Sequence, residues 1–179
     1  KTGDAALEIN VSDEFPAPHV GPEYSGIALG DDGEPVCVDT SMNMSSADVK
    51  KALMELMPLI KERLKYLTEA AEMVHFLFTE PAVPAADQII PKKLDLAKTK
   101  EVLEASKEFV KALPNLDHEG SEALAREMAE KLGVKLGDFM MPIRMAVTGS
   151  RVSPPLMGSI LILGVERSLE RIERTLQTL

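Results

Sequence analysis

The sequence predicts a mainly α-helical protein: two small helical bundles preceded by an irregular segment. Three observations carry this. From residue 46 onward, apolar residues recur at steps of three and four, the period of one helix face. Aromatics are only 4% of the chain and Trp is absent, so the core must be built from aliphatic side chains and Met, which suits helix packing better than a β-sandwich. Pro and Gly gather at the ends of the periodic stretches, where they stop helices. At 179 residues, and roughly 100–200 residues per domain, the chain makes one domain or two small ones. The expected division is an irregular acidic segment over 1–45, a first helical subdomain over 46–91 and a second over 92–179.

Residues 1–45 are broken by Pro16, Pro18, Pro22 and Pro35 and by four glycines after Val20. Leu7–Val11 and Pro35–Val38 have the composition of short strands. Asp31-Asp32-Gly33 is a turn signal that suits a hairpin between Ile27–Leu29 and Val36–Val38. Helical order begins at Ser45-Ser46, with Ser46 expected as the N-cap and Asp48 in the first turn, where the helix dipole favours an anion. Leu53, Leu56 and Met57 form an apolar stripe, and Pro58 ends or kinks this helix. A second helix is expected from Pro58 to about Phe78 through Leu64, Leu67, Ala71 and Val74. Pro81 and Pro84 close it, and the stretch to Pro91 is a linker.

A third helix follows Asp95, with Val102, Leu103, Ser106, Phe109, Val110 and Leu113 on one side. A fourth runs from near Asp117 through Leu124, Met128 and Leu132 to Gly133, a left-handed C-terminal residue. The residues from Val134 to Asp138 are expected to turn, and Phe139–Val147 to form a short fifth helix with Pro142 near its start. After Thr148-Gly149-Ser150, Ser153 caps a helix with proline in its first turn, ending at Gly164. The last helix repeats Val165, Leu169, Ile172, Leu176 and Leu179, and its outer face is expected to carry Arg167, Arg171 and Arg174.

The net charge of −9 argues against a nucleic-acid binder, because phosphate contacts need Lys and Arg. The distribution softens that conclusion. Residues 1–49 hold ten acids and one base, whereas residues 126–179 hold eight bases and six acids, among them six of the seven arginines. A local basic face on an acidic chain is therefore compatible with the composition. The single cysteine, Cys37, allows no intrachain disulfide and fits a reducing cytoplasm, and its neighbours Glu34 and Asp39 disfavour a thiolate. No signal peptide or membrane span is visible, since the longest strongly apolar run is Ile160–Leu163. The first residue is Lys1 and not Met, which leads us to expect a fragment or a processed product.

No catalytic constellation emerges. His19, His75 and His118 are scattered and form no metal-type pair, and His75 reads as a partly buried structural residue. There is no glycine-rich phosphate loop and no Gly-x-Ser-x-Gly elbow. The informative stretch is Lys131–Pro155, which mixes apolar fillers (Met140, Met141, Met145) with polar residues that packing alone does not demand. Arg144 in a short apolar helix either snorkels to solvent or makes directed hydrogen bonds. Thr148-Gly149-Ser150 offers hydroxyls and close backbone approach. The helix start at Ser153-Pro154 presents N–H groups suited to phosphate or base acceptors. On an acidic chain, a capped helix–loop–helix with a snorkelling arginine is the simpler account of these residues, and an RNA contact is the second.

The same stretch resembles the C-terminal signature of bacterial glutamyl-tRNA synthetases. That signature is carried here by Gly133-Val134-Lys135-Leu136-Gly137, by Pro142-Ile143-Arg144-Met145-Ala146-Val147-Thr148-Gly149, by Ser153-Pro154 and by Leu163-Gly164-Val165-Glu166-Arg167. A weaker match covers Leu59–Glu80 and ends in Phe76-Leu77-Phe78-Thr79-Glu80, so the resemblance spans about residues 46–179. It implies two all-helical domains of the anticodon-binding type and a tRNA(Glu) partner. It implies that Arg144, Thr148 and the Ser153, Pro154 and Leu156 turn contact the anticodon loop. It also implies that Arg63 tells the third anticodon letter, cytosine, from guanine. The family's HIGH and KMSKS motifs are missing and residues 1–45 do not match. The resemblance therefore implies no catalysis and no cofactor in this chain, with ATP and Mg²⁺ belonging to the missing catalytic half. A cytoplasmic monomer with no membrane or DNA partner is expected. Two alternatives stand beside this. One is a helical protein-interaction module that docks an acidic partner on Arg167, Arg171 and Arg174. The other is a stand-alone relative that has lost the catalytic half.

Overall fold

The computed structural model describes residues 26–39, 42–61, 64 and 68–179. The expected strand at Leu7–Val11 and the residue Arg63 lie outside the described residues. Within them the fold is mainly helical, as the periodicity predicts. A small hairpin, β1 (Ile27–Leu29) and β2 (Pro35–Cys37), pairs antiparallel with Ala28 opposite Val36. Its turn is the Asp31-Asp32-Gly33 sequence, closed where Gly33 N–H donates to the Gly30 carbonyl at 2.9 Å. No helix among the described residues is long and apolar enough to cross a membrane.

The first helix, α1, spans Ser46–Ile60. Its cap is Ser45 and not Ser46: the Ser45 hydroxyl and the Asp48 carboxylate exchange bonds with each other's backbone N–H in a capping box. Those bonds hold the Asp48 carboxyl below its ordinary value. Pro58 neither ends the helix nor starts the next one. It sits two residues before the end of α1, where the hydrogen bond it removes belongs to a terminal turn. The buried stripe is Val49, Ala52, Leu56 and Ile60, while Met57 is 46% exposed, contrary to its expected place on the core face. The second helix, α2, is described over Thr68–Phe78. Val74, Phe76, Leu77 and Phe78 pack against the α1 stripe to make one apolar cluster.

The expected linker contains one turn of helix, α3 (Ala86–Ile89), with Ile89 fully buried. Then follow α4 (Leu96–Ala112), capped by Asp95, and α5 (His118–Lys131), capped by Asp117. All six residues expected on the inner side of α4 are fully buried. In α5 the buried stripe is the small series Ser121, Ala125 and Ala129, so Leu124, Met128 and Leu132 lie at its margins. Small side chains let the neighbouring helices approach closely. Gly133 is left-handed, as expected at φ +66°.

The sixth helix, α6, spans Leu136–Thr148 and starts three residues earlier than the proline suggests. Pro142 is buried in its second turn. Phe139 on α6 meets Phe109 on α4 edge to face, with ring centroids 5.8 Å apart at 77°. The last helices are α7 (Leu156–Leu163) and α8 (Val165–Thr178). A second, larger apolar cluster joins α3 to α8, and Leu163 packs against both clusters.

Three segments converge on the end of α2. The hairpin covers it from one side: Cys37 Sγ donates to the Phe78 carbonyl at 3.1 Å, and Asp39 Oδ2 accepts from Glu80 N–H at 3.1 Å. Partial burial pushes the Cys37 thiol up, which agrees with an unreactive sulfur. The α6 C-terminus abuts it from another side. Gly149 has φ +69°, and a Cβ built there would lie 2.9 Å from Pro81 Cβ. Gly149→Ala therefore combines left-handed strain with a clash. We expect it to cost about 2 kcal/mol and to lower the thermal midpoint by roughly 4–8 °C. A melting curve unchanged from wild type would show that the contact yields freely. The third segment, α8, is described with the site.

Candidate nucleic-acid interface

The α6–α7 connection, Gly149–Pro155, is a turn built from within. Arg144 sits one turn before the end of α6, half-buried. Its Nη1 donates to the Ser153 hydroxyl, to the Ser153 carbonyl at 3.5 Å and to the Pro154 carbonyl at 3.1 Å. Of the two behaviours expected of this arginine, directed hydrogen bonding is the one found. A planar guanidinium can meet several acceptors along one strand, which a lysine ammonium cannot do in a fixed geometry. Arg144 therefore staples the far side of the turn to α6.

Thr148 holds the near side. Its hydroxyl donates within α6 to the Arg144 carbonyl at 2.9 Å, lies 3.1 Å from the Ser150 carbonyl and accepts from Ser150 N–H at 3.3 Å. Ser150 Oγ accepts from Val152 N–H at 3.2 Å. The backbone between the two staples is thus shaped by side chains of its own sequence.

Of the residues that the family resemblance implicates, Arg144, Thr148, Ser153, Pro154 and Leu156 come together here. Four of these five are buried: Thr148, Ser153, Pro154 and Leu156. They set the shape of the turn. Ser153 does not cap α7 as expected. Its hydroxyl is turned onto Arg144 and the Pro154 carbonyl, and the cap position falls to Pro155, which offers no side-chain bond. What the turn presents outward is Ser150, Arg151 and Val152. Val152 is 70% exposed. Arg151 belongs to the polar residues of the Lys131–Pro155 stretch that packing does not demand, whereas Val152 carries neither a family signature nor a polar group to mark it. The one available signal for Val152 was its position between Ser150 and Ser153.

The arginines of α8 behave differently from the expectation. Arg167, Arg171 and Arg174 do share one helix face, but that face packs against the rest of the fold, with Arg171 buried and Arg167 and Arg174 half-buried. Arg167 Nη2 donates to the Met42 carbonyl at 2.9 Å. Arg171 is 1% exposed. Its Nη1 donates to the Val147 carbonyl at 2.7 Å, and its Nη2 donates to the Thr79 carbonyl at 3.3 Å and to Glu80 at 3.0 Å. Arg174 donates to the Pro81 carbonyl at 2.8 Å and pairs with Glu80 at 2.6 Å. Burial lowers the Arg171 pKa, Glu80 opposes that shift, and an arginine starts so high that it stays charged. A packed face consumed by carbonyls is not a docking surface for an acidic partner, and the protein-interaction alternative loses its basis. These bonds instead fasten α8 to the end of α2 and to the last turn of α6, directly behind the stapled turn.

Comparison with known proteins gives the following. A family model described as an anticodon binding domain matches residues 34–176. The chain is 56% identical over 128 residues to a glutamate–tRNA ligase of Treponema denticola, covering 71% of this chain and 25% of that protein. It is 46% identical over 128 residues to a glutamate–tRNA ligase of Treponema pallidum, covering 72% of this chain and 24% of that protein. A solved glutamate tRNA ligase from Elizabethkingia meningosepticum, in complex with its amino acid, matches 78% of this chain and 31% of its own at 21% identity and a TM-score of 0.48. The chain spans about a quarter of the length of the curated relatives it matches.

Proposed function

Because the chain belongs to the anticodon-binding domain family, we propose that it recognises the anticodon arm of tRNA(Glu) as one part of a glutamate–tRNA ligase. The observation that supports this most is the Arg144 staple. It holds the Gly149–Pro155 backbone in one shape while Ser150, Arg151 and Val152 face outward. A turn fixed before binding loses little entropy on meeting a single-stranded loop. Unstacked bases are the usual target of sequence-specific RNA recognition, since their edges and faces are open. Val152 supplies an apolar contact for a base face, and the Ser150 hydroxyl supplies a polar one.

In this reading Arg144, Thr148, Ser153, Pro154 and Leu156 shape the reader from beneath. Arg63 is assigned, on the motif match alone, to the third anticodon letter. Cytosine's edge offers the acceptors O2 and N3 to a guanidinium, whereas guanine's edge offers mainly donors, which would be left facing donors. Glutamate activation with ATP and Mg²⁺ would fall to the other three quarters of such an enzyme. The chain would act as a monomer in the cytoplasm, and it would form two subdomains with a boundary near residues 91–92.

The test is binding to two tRNA(Glu) anticodon stem-loops that differ only in the third letter. We expect the cytosine form to bind about tenfold tighter, and Arg63→Gln to abolish the difference; one lost hydrogen-bond match of 1–3 kcal/mol predicts this scale. Equal binding of both forms would remove Arg63 as reader, and no binding of either would remove the function.

A further inference from the structure

Resting on that reading, we propose that Lys92, Lys93 and Arg151 form a phosphate rail, a strip that grips the sugar–phosphate backbone of the RNA beside the stapled turn without reading its bases. The two lysines occupy the corner of a turn in which Leu94 N–H donates to the Pro91 carbonyl at 3.0 Å. Pro91 is buried and Ile89 just before it is fully buried, so the turn is anchored from below while both lysines are exposed. The third cation arrives from the α6–α7 turn. Arg151 Nη2 lies 3.4 Å from the Gln88 carbonyl, at the end of α3 and four residues before Lys92. Arg151 of the α6–α7 turn thus reaches the end of α3, and the chain leads from there within four residues to the exposed lysine turn.

None of the three cations has a carboxylate partner among the described residues. Six other lysines, Lys50, Lys51, Lys98, Lys107, Lys111 and Lys131, are paired with Glu, whereas Lys61, Lys100 and Lys135 share the unpaired state of the rail residues among the described residues. A chain of net charge −9 repels a polyanion at long range, so close contact with RNA needs a local strip of exposed cations. Backbone contacts of this kind position an RNA and set its register while leaving sequence choice to other residues.

The experiment measures affinity for the cytosine-form stem-loop across a salt series. It uses the wild-type chain, the Lys92→Gln/Lys93→Gln variant, Arg151→Gln, and a control of equal charge change, Lys50→Gln/Lys51→Gln. Each single-strand phosphate contact contributes about 0.7 to the slope of log affinity against log salt. The rail lysines should therefore lower the slope by about 1.4 when removed, and Arg151→Gln by about 0.7, with the third-letter preference and the thermal midpoint unchanged. The control should leave the slope as it is. Wild-type slope and affinity in the rail variants would overturn the rail and leave the anticodon reading standing. Loss of the third-letter preference would overturn the base-independent role. Absence of binding by the wild-type chain would overturn both proposals together.

Discussion

Arg171→Ala is expected to destabilise the protein by about 3–5 kcal/mol, the cost of breaking a buried charge network by removing one partner. The substitution would strand the Val147 and Thr79 carbonyls and leave Glu80 with Arg174 alone. Buried acceptors without donors carry their full desolvation cost, and a cavity adds to it. For a chain of this size the thermal midpoint should fall by roughly 10 °C. Glu80→Gln should cost somewhat less, about 2–3 kcal/mol: it leaves the buried Arg171 cation without a carboxylate, but the arginine keeps its two carbonyls and Glu80 is partly in solvent. Chemical denaturation of both variants checks the difference. Equal and small effects would mean that the end of α2, α6 and α8 are held together by apolar packing alone.

Arg144→Ala is expected to weaken binding of the tRNA(Glu) anticodon stem-loop by tenfold or more, with a stability loss of about 1–2 kcal/mol. Its loss leaves the Ser153 hydroxyl and the Pro154 carbonyl without the donor that ties them to α6. The turn then samples several shapes, and binding must select one of them, which lowers the apparent affinity by the fraction that is competent. Arg144→Lys separates geometry from charge. It keeps the positive charge but not the flat array of donors, so its affinity should fall nearly as far as that of Arg144→Ala. Full binding by Arg144→Lys would show that charge alone is what this position supplies.

Helix positions were legible in the sequence wherever periodicity and caps agreed. The inner side of α4 was readable residue by residue, because long apolar side chains at steps of three and four have one place to go. The α5 stripe was harder. Ser121, Ala125 and Ala129 are small, and larger neighbours at the margins imitate the core position. Prolines misled twice, at Pro58 and Pro142, since each is accommodated inside a helix where the missing bond falls near an end or within a packed turn. Ser45 and Ser46 are chemically equal as caps, and only the reach of Asp48 decides between them.

The α8 arginines show the limit most clearly. Spacing at 167, 171 and 174 correctly gives one shared face, but charge suggested that this face meets solvent. The carbonyls of Thr79, Pro81 and Val147 and the Glu80 carboxylate, contributed from far away in the chain, satisfy Arg171 in the interior and Arg174 at its edge, while Arg167 reaches the Met42 carbonyl. No local pattern announces acceptors that distant. At the candidate interface, the family signature marks the residues that shape the turn from beneath, Arg151 is legible only as a polar residue that packing does not demand, and Val152 emerges from exposure alone.

The central claim is that the Gly149–Pro155 turn meets the anticodon loop, and amide chemical shifts test it most directly. The labelled chain would be titrated with the tRNA(Glu) anticodon stem-loop and, separately, with the same stem carrying a permuted loop. The largest shifts are expected on Gly149, Ser150, Arg151, Val152 and Ser153 with the first RNA, and much smaller ones with the second. Shifts of equal size with both loops, or shifts centred elsewhere, such as on the hairpin of residues 27–37, would contradict that claim.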